Sequence, residues 1–254
     1  MPQARVEFLD TPIDVLTMEE TIAAAVSAMR SRRKLTHVAI NVAKLVKMRT
    51  DPQLCADVSE ADIVGIDGMG IVWGARLLGI AVPERVSGID LMMGLLSECA
   101  KHGLKPYLLG ARTEVLEAAA AAAVRANPGL VIAGMHHGYF RPGEAAEIVA
   151  KINRSKADCL FIGMPTPHKE RFLAANKAVL CPPFVMGVGG SFDVLSGKVS
   201  RAPHWAQQLG MEWLFRTLQE PRRLFWRYAE TNARFLMLLT KELLVSMGHS
   251  LVRR

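Results

Sequence analysis

An aspartate closes the stretch Asp62-Ile63-Val64-Gly65-Ile66-Asp67-Gly68-Met69-Gly70 where an apolar run gives way to glycine. The run reads as a short buried strand, and residues 71–78 read as the helix that follows it. Strand, turn and helix start in that order put Asp67 at the carboxyl edge of a sheet, where open α/β sheets take their ligands. A carboxylate there has two competing uses: chemistry on a bound substrate, or a cap on the helix after Gly68. Other strand ends are also polar or glycine-rich: Asn41, Gly110-Ala111-Arg112, His136-His137-Gly138, Gly163-Met164-Pro165-Thr166 and Gly187-Val188-Gly189-Gly190. Gathered on one edge, they offer backbone N–H groups at helix starts, a setting that favours phosphate.

Several chemistries lose ground on what is missing. Gly65-Ile66-Asp67-Gly68-Met69-Gly70 is not the dinucleotide fingerprint, and no Walker sequence occurs, which weakens dehydrogenase and kinase readings. No Asp-x-Asp is present. Glu60-Ala61-Asp62 comes close but precedes its strand, at the wrong end of the sheet. A metal-chelated diphosphate is therefore not supported, no cofactor is implied, and cationic side chains must do the work of a metal. His136 and His137 invite a metal reading, but neighbours in a strand point to opposite faces. A substrate-contacting loop histidine, or no role at all, fits better. Tyr139 and Phe140 either wall a pocket or pack, and Arg85 either pairs with Glu84 or Asp90 or meets a substrate.

The elements that must position these residues alternate regularly. Strands are expected at 5–9, 36–40, 63–66, 106–109, 130–133, 158–162 and 184–186. Helices are expected between them. One opens on the capping box Thr17-Met18-Glu19-Glu20, another on Asp51-Pro52, and later ones run over 114–126, 143–153 and 168–178. Short apolar strands alternating with helices predict an α/β, Rossmann-like, mostly parallel sheet covered on both faces. After Pro203 the strands stop, and residues 205–218 and 222–247 read as helices. The expected organisation is a core over 1–200 and a helical C-terminal appendage over 201–254. The apolar faces of 42–48 and 71–78 are candidates for an interface, so a homo-oligomer is one reading.

The charge marks the same boundary. Of a formal net charge of +7, residues 196–254 carry +6, from ten Lys or Arg and four Glu. Three of the four tryptophans (Trp205, Trp213, Trp226) lie there as well. Tryptophan and arginine on amphipathic helices suit an anionic membrane interface. The tail lacks strand aromatics on which bases would stack, so nucleic acid is disfavoured. The amino terminus has no signal-peptide core, and no uncharged apolar run reaches the roughly 18 residues of a membrane span. The four cysteines are widely spaced and read as thiols of a reducing compartment. The expected location is cytoplasmic, peripheral on the inner face of the cell membrane.

The stretch from Asp62 to Val72 resembles the acidic turn of the WecG/TagA/CpsF glycosyltransferases. So does Val82-Pro83-Glu84-Arg85-Val86-Ser87-Gly88-Ile89-Asp90 after it. Gly134 to Phe140 (ending Gly138-Tyr139-Phe140), the segment 163–170, and Gly187-Val188-Gly189-Gly190-Ser191-Phe192-Asp193 continue the likeness. Arg201-Ala202-Pro203, Leu209-Gly210-Met211-Glu212-Trp213-Leu214-Phe215-Arg216 and Gln219-Glu220-Pro221-Arg222-Arg223 complete it, covering nearly the whole chain in order. The resemblance implies inverting, metal-independent transfer of a hexose, N-acetylhexosamine or uronic-type sugar. The donor would be a UDP-sugar and the acceptor a polyprenyl-diphosphate-linked saccharide, in cell-surface polysaccharide synthesis. It implies Asp67 as the base that takes the acceptor hydroxyl's proton, and Arg85 as the guanidinium that meets the departing diphosphate. Asn41 is a candidate helper. Substrate contacts are expected from Gly68, Gly110, Ala111, His136, Tyr139, Gly163, Lys169 and Gly189, and from tail arginines such as Arg216 and Arg222.

Two positions depart from the family pattern. Ala39-Ile40-Asn41 lacks the hydroxyl of Thr-x-Asn, and Lys169 stands where glutamine is usual before Glu170. A cation at 169 would meet phosphate or a sugar carboxylate, or be a solvated helix residue. These departures keep a second class of function in view, a non-catalytic nucleotide- or membrane-binding module of the same fold.

Overall fold

The computed structural model describes residues 5–252 apart from Leu209 and Glu220. A small antiparallel pair, β1 (Arg5–Glu7) and β2 (Pro12–Asp14), leads into α1 (Met18–Ser31), β3 (Leu35–Ile40), α2 (Val42–Met48) and α3 (Pro52–Ser59). Next come β4 (Ile63–Ile66), α4 (Met69–Leu77), α5 (Gly88–His102), β5 (Pro106–Gly110), α6 (Thr113–Ala126) and β6 (Gly134–His136). A single 3-10 turn, Pro142–Glu144, precedes α7 (Ala145–Arg154), β7 (Cys159–Gly163), α8 (His168–Asn176), β8 (Phe184–Gly187) and α9 (Ser191–Leu195). The chain ends in α10 (His204–Gln208), α11 (Glu212–Gln219) and α12 (Pro221–Val252).

Six strands form one parallel sheet in the order β4-β3-β8-β7-β5-β6. Alternate residues feed two apolar layers, as strands covered on both faces require. Val38, Ile40, Val64, Ile66, Leu160 and Val185 face the layer that includes Leu45 of α2 and Ile71 of α4. Ile63, Leu108, Phe161, Phe184 and Met186 face the layer that includes Ala25 of α1 and Leu95 of α5. The caps form as their residue types dictate. The Thr17 hydroxyl accepts from Glu20 N at 3.1 Å while Thr17 N donates to Glu20 Oε2 at 2.9 Å, and Asp51 Oδ1 accepts from Leu54 N at 3.0 Å.

Three expectations shift. The strand placed at 130–133 begins at Gly134, opposite Tyr107. The Tyr107 ring lies over Gly134, where a Cβ would sit 2.7 Å from it. Leu130 is spent earlier in the core while Val131 faces outward, so the apolar run is an approach to the sheet. The helix placed at 205–218 is two helices, because Gly210 adopts the left-handed conformation at φ +66°. Gly210 N donates to Gln207 O at 3.0 Å and Met211 N to Ala206 O at 2.7 Å, which closes α10. The apolar faces of 42–48 and 71–78 are turned inward: Leu45, Val46, Ile71 and Val72 are core residues. Only Trp73 and Leu77 of α4 stay exposed among the large apolar side chains there.

α12 packs along α2 and meets α4 at Gly74, burying Phe235 and Leu239 in the first apolar layer. Gly74 makes room for this crossing, since a Cβ there would touch Phe235, Phe8 and Leu239. Among the described residues no helix is long and apolar enough to cross a membrane.

Candidate active site

Asp67 follows β4 directly. Its backbone N–H donates to Ile40 O at 2.9 Å, extending the β3–β4 pairing by one residue and fixing where the side chain leaves the sheet. The loop after α4 then returns alongside, with Val86 N donating to Ile66 O at 2.9 Å. That return brings Arg85 and the start of α5 beside Asp67. Gly88 N donates to Asp67 Oδ1 at 3.1 Å. The helix that Asp67 caps is thus α5; α4 starts at Gly68 with no side-chain cap. Gly68 itself lies against Asn41, where a Cβ would come 3.1 Å from the Asn41 Cβ. Asn41 caps α2, its Oδ1 accepting from Lys44 N at 3.0 Å.

These residues line a cavity of about 580 Å³ above the carboxyl ends of β4, β3 and β8. Ala39, Lys169, the turn from Gly187 to Ser191, and Trp73 of α4 contribute to its wall. So do Arg201, Glu212, Trp213, Tyr228, Asn232 and Phe235 from the C-terminal segment. The Asp67 carboxylate meets this space while protein surrounds the rest of it. Burial pushes its pKa above the usual aspartate value; the Gly88 N–H and the Arg85 guanidinium oppose that rise.

Two ion pairs tie the core to the C-terminal segment at the cavity. Arg85 Nη1 pairs with Glu212 Oε2 of α11. Arg201 Nη2 meets Asp90 Oδ2 of α5 at 2.6 Å. The partners expected for Arg85 are otherwise engaged: Glu84 accepts from Met18 N at 2.7 Å, and Asp90 holds Arg201. A third cluster lies deeper. Lys44 Nζ reaches Glu170 Oε1 at 2.7 Å and the Ala39 carbonyl at 2.6 Å. Lys169 Nζ reaches the same Glu170 oxygen at 2.9 Å and Thr166 Oγ1 at 2.6 Å. Despite their burial, the two ammoniums hold Glu170 ionised, with a pKa near 2. Burial and the neighbouring Lys44 charge lower the Lys169 pKa to about 8. Lys169 is therefore a buried cavity residue, and the solvated-helix reading of it fails.

The remaining candidates sit at the other end of the same edge. Gly110 (φ +141°) and Ala111 (φ +51°) form a left-handed turn against β7, and a Cβ on Gly110 would collide with the Gly163 backbone. Ala111 N donates to Gly163 O at 3.1 Å and Gly138 N to Ala111 O at 2.9 Å. His136 and Tyr139 line a second cavity of about 410 Å³ with Glu144, Glu147 and Lys151. The two histidine rings do not point to opposite faces. β6 ends at His136, and the rings lie 4.6 Å apart at 42°. Among the described residues no three His, Cys, Asp or Glu side chains gather as metal ligands. Tyr139 is 70% exposed with the Arg112 guanidinium over its ring, whereas Phe140 packs against Phe172.

Gly189, in the left-handed region at φ +54°, lines the main cavity with Asp67. Arg222 is exposed at the start of α12 and is not among the lining residues. The side chain of Arg216 lies outside the described part of the structure. Sequence reasoning missed Lys44, Glu212 and Arg201 as site residues. Lys44 carried a faint signal, standing one helical turn after Asn41. Glu212 and Arg201 lie over a hundred residues from their partners, and no local pattern could have joined them.

The geometry is that of a carboxylate held at a sheet edge, among cations, beside a cavity of a size usual for small-molecule ligands. The glycosyl transferase WecG/TagA/CpsF family model matches residues 6–248. The chain belongs to that family and is a glycosyltransferase of the Rossmann-like α/β type.

Proposed function

We propose that the protein moves a hexose, N-acetylhexosamine or uronic-type sugar from a UDP donor to a polyprenyl-diphosphate-linked saccharide. The transfer inverts the sugar, needs no metal, and serves cell-surface polysaccharide synthesis. Asp67 is the base. As the acceptor oxygen attacks the anomeric carbon, its proton passes to the carboxylate oxygen that Gly88 leaves open. The bond to UDP breaks on the opposite side, and the electron pair stays with the diphosphate. Arg85 meets that charge bidentately, exchanging Glu212 for phosphate oxygens. Asn41 spends its carbonyl on capping α2, which leaves its NH2 for a sugar oxygen.

The observation that carries this reading is the Asp67 carboxylate itself. It has one oxygen anchored, an elevated pKa suited to accepting a proton, and a cavity in front of it. Asp67→Asn should keep the fold and abolish UDP release from the donor in the presence of acceptor. Undiminished turnover in that variant would end the base role. Failure of every UDP-sugar to release UDP in the wild type would favour the non-catalytic binding module instead.

The C-terminal segment supports the membrane part of the proposal. Leu218, Phe225, Trp226, Leu236 and Met237 are exposed apolar side chains on α11 and α12, with Arg222 among them. Apolar and basic residues together suit docking on an anionic inner leaflet. The pair Phe225→Ser and Trp226→Ser should abolish flotation with vesicles containing anionic lipid. Truncation at residue 200 is a poorer test, because it would also strip Phe235 and Leu239 from the core. Persistent flotation of the double variant would remove α12 as the anchor.

A further inference from the structure

Four cations line the main cavity: Lys44, Lys169, Arg85 and Arg201. Among the described residues four acids answer them. Glu170 holds both lysines, Asp90 holds Arg201, and Glu212 holds Arg85. Asp67 is the fourth, and its charge acts on Arg85, Lys44 and Lys169 together. The site is therefore close to neutral. A diphosphate brings further negative charge, which such a site accepts most readily as one of its own acids withdraws.

Three of the four acids are fixed by the core. The Glu170 side chain is fully buried between its two ammoniums. Asp67 is tied to Gly88 N, and Asp90 belongs to α5. Glu212 differs, because it is the first residue of α11. That helix packs chiefly on α12, with the Trp213 ring 5.9 Å from the Tyr228 ring. It hangs between two anchors: Gly210, which lies against Met69 and Trp73 of α4, and Phe235 in the core. Leu214 and Leu218, between those anchors, are exposed. The Glu212 side chain is itself 26% exposed, against 13% for Arg85, so water can take up the carboxylate as it leaves.

Resting on the proposed function, we infer that Glu212 is an internal competitor for the donor's diphosphate, and that α11 is the autoinhibitory element that carries it. Glu212 Oε2 stands at Arg85 Nη1, where that function requires a phosphate oxygen of the leaving group. Two anions cannot share that edge of the guanidinium. Donor binding therefore frees the start of α11. Conversely, α11 held on the core weakens donor binding by the same factor, since linkage is reciprocal. The exchange takes one negative charge away as the diphosphate arrives. It leaves Asp67, Glu170 and the Arg201–Asp90 pair in place.

The test uses the full-length protein, with UDP and uridine as probes, the nucleoside lacking only the diphosphate. In calorimetry Glu212→Gln should bind UDP about tenfold more tightly than the wild type does, the scale of one hydrogen bond between charged groups. Uridine should bind both proteins equally. Hydrogen exchange read by mass spectrometry should show the amides of 212–219 exchanging faster when UDP is added to the wild type. In Glu212→Gln they should exchange fast from the start, with little further change on adding UDP. A UDP affinity unchanged or weakened in Glu212→Gln would overturn the competitor role. So would an equal gain for uridine, which would mark a general opening of the cavity. Slower or unchanged exchange of 212–219 on adding UDP to the wild type would overturn it as well, because the helix would then stay in place or close over the donor. The exchange measurement needs only the wild type, so a poorly folded variant leaves it standing. Each of these results, with UDP bound to the wild type, sinks only this inference, whereas failure of the wild type to bind UDP sinks the transferase reading with it.

Discussion

The two ends of the sheet's carboxyl edge are built from the same topology and do different things. Where β4, β3 and β8 end, the backbone is satisfied early and ionisable side chains project into one cavity: Asp67, Arg85, Lys44 and Lys169. Where β5, β7 and β6 end, the backbone itself fills the space. Gly110, Ala111, Gly138 and Gly163 bond to one another so closely that side chains have no room. A glycine at a strand end is thus not one signal. At Gly68 the missing side chain lets Asn41 approach a helix start, while at Gly110 it lets the turn close on the Gly163 backbone and at Gly163 it makes room for the Phe192 ring.

The largest expected effect that separates the two ends, after Asp67 itself, is at Arg85. Arg85→Met should lower kcat by about 10²–10³, the usual cost of a lost transition-state donor, with the melting temperature little changed. A loss below about tenfold in initial-rate assays would remove Arg85 from the leaving group.

Acid should then sharpen the contrast through His37. It is fully buried against Gly65, both ring nitrogens lack partners, and its pKa is lowered to about 4, burial being the main cause and Lys44 the second. The unfolded chain takes a proton on this residue near pH 6.5 and the folded chain does not. Stability is therefore full above about pH 6.5 and falls as the pH drops toward 4, by up to about 3 kcal/mol. Urea unfolding across that range should show the slope in the wild type and lose it in His37→Gln. Activity should fail on acidification for a second reason, since Asp67 must be ionised. The kinetic midpoint should lie above the ordinary aspartate range, because burial raises its pKa.

At the other end the expected damage is structural. Gly110→Ala should destabilise the fold by about 2–3 kcal/mol, from overpacking against Gly163 and left-handed strain together, seen as a lower urea midpoint. The smallest effect is expected for His136→Ala, a change in kcat/KM below about fivefold, because the second cavity lies apart from Asp67. A fall of a hundredfold there would break the comparison and draw both cavities into one substrate path.

Much of this was legible in the residues. The strand-turn-helix order around Asp67 placed it at the sheet edge, and Thr17 and Asp51 announced the helices they cap. These are local rules, and local residue types decide them. Gly210 was equally local but was read through, since an apolar helical period on both sides masked its left-handed stop. Lys169 could be singled out by type but not by burial, because a lysine in a helix gives no hint of whether a sheet end lies beneath it.

The sequence by itself determined the alternation, the parallel sheet, the family and the acid at the end of β4, because periodicity and turn chemistry act over a few residues. The tertiary structure decided which strand ends share a cavity: Asn41, Asp67 and Gly189 do, and Gly110, Gly163 and His136 stand apart. It also decided the partners of every site cation. Glu212 and Arg201 reach Arg85 and Asp90 across a C-terminal segment that packs on the core, with Gly210 against Met69 and Trp73 and with Phe235 of α12 over Gly74. Charge pairing across more than a hundred residues is a property of packing, and packing is settled by the whole core at once.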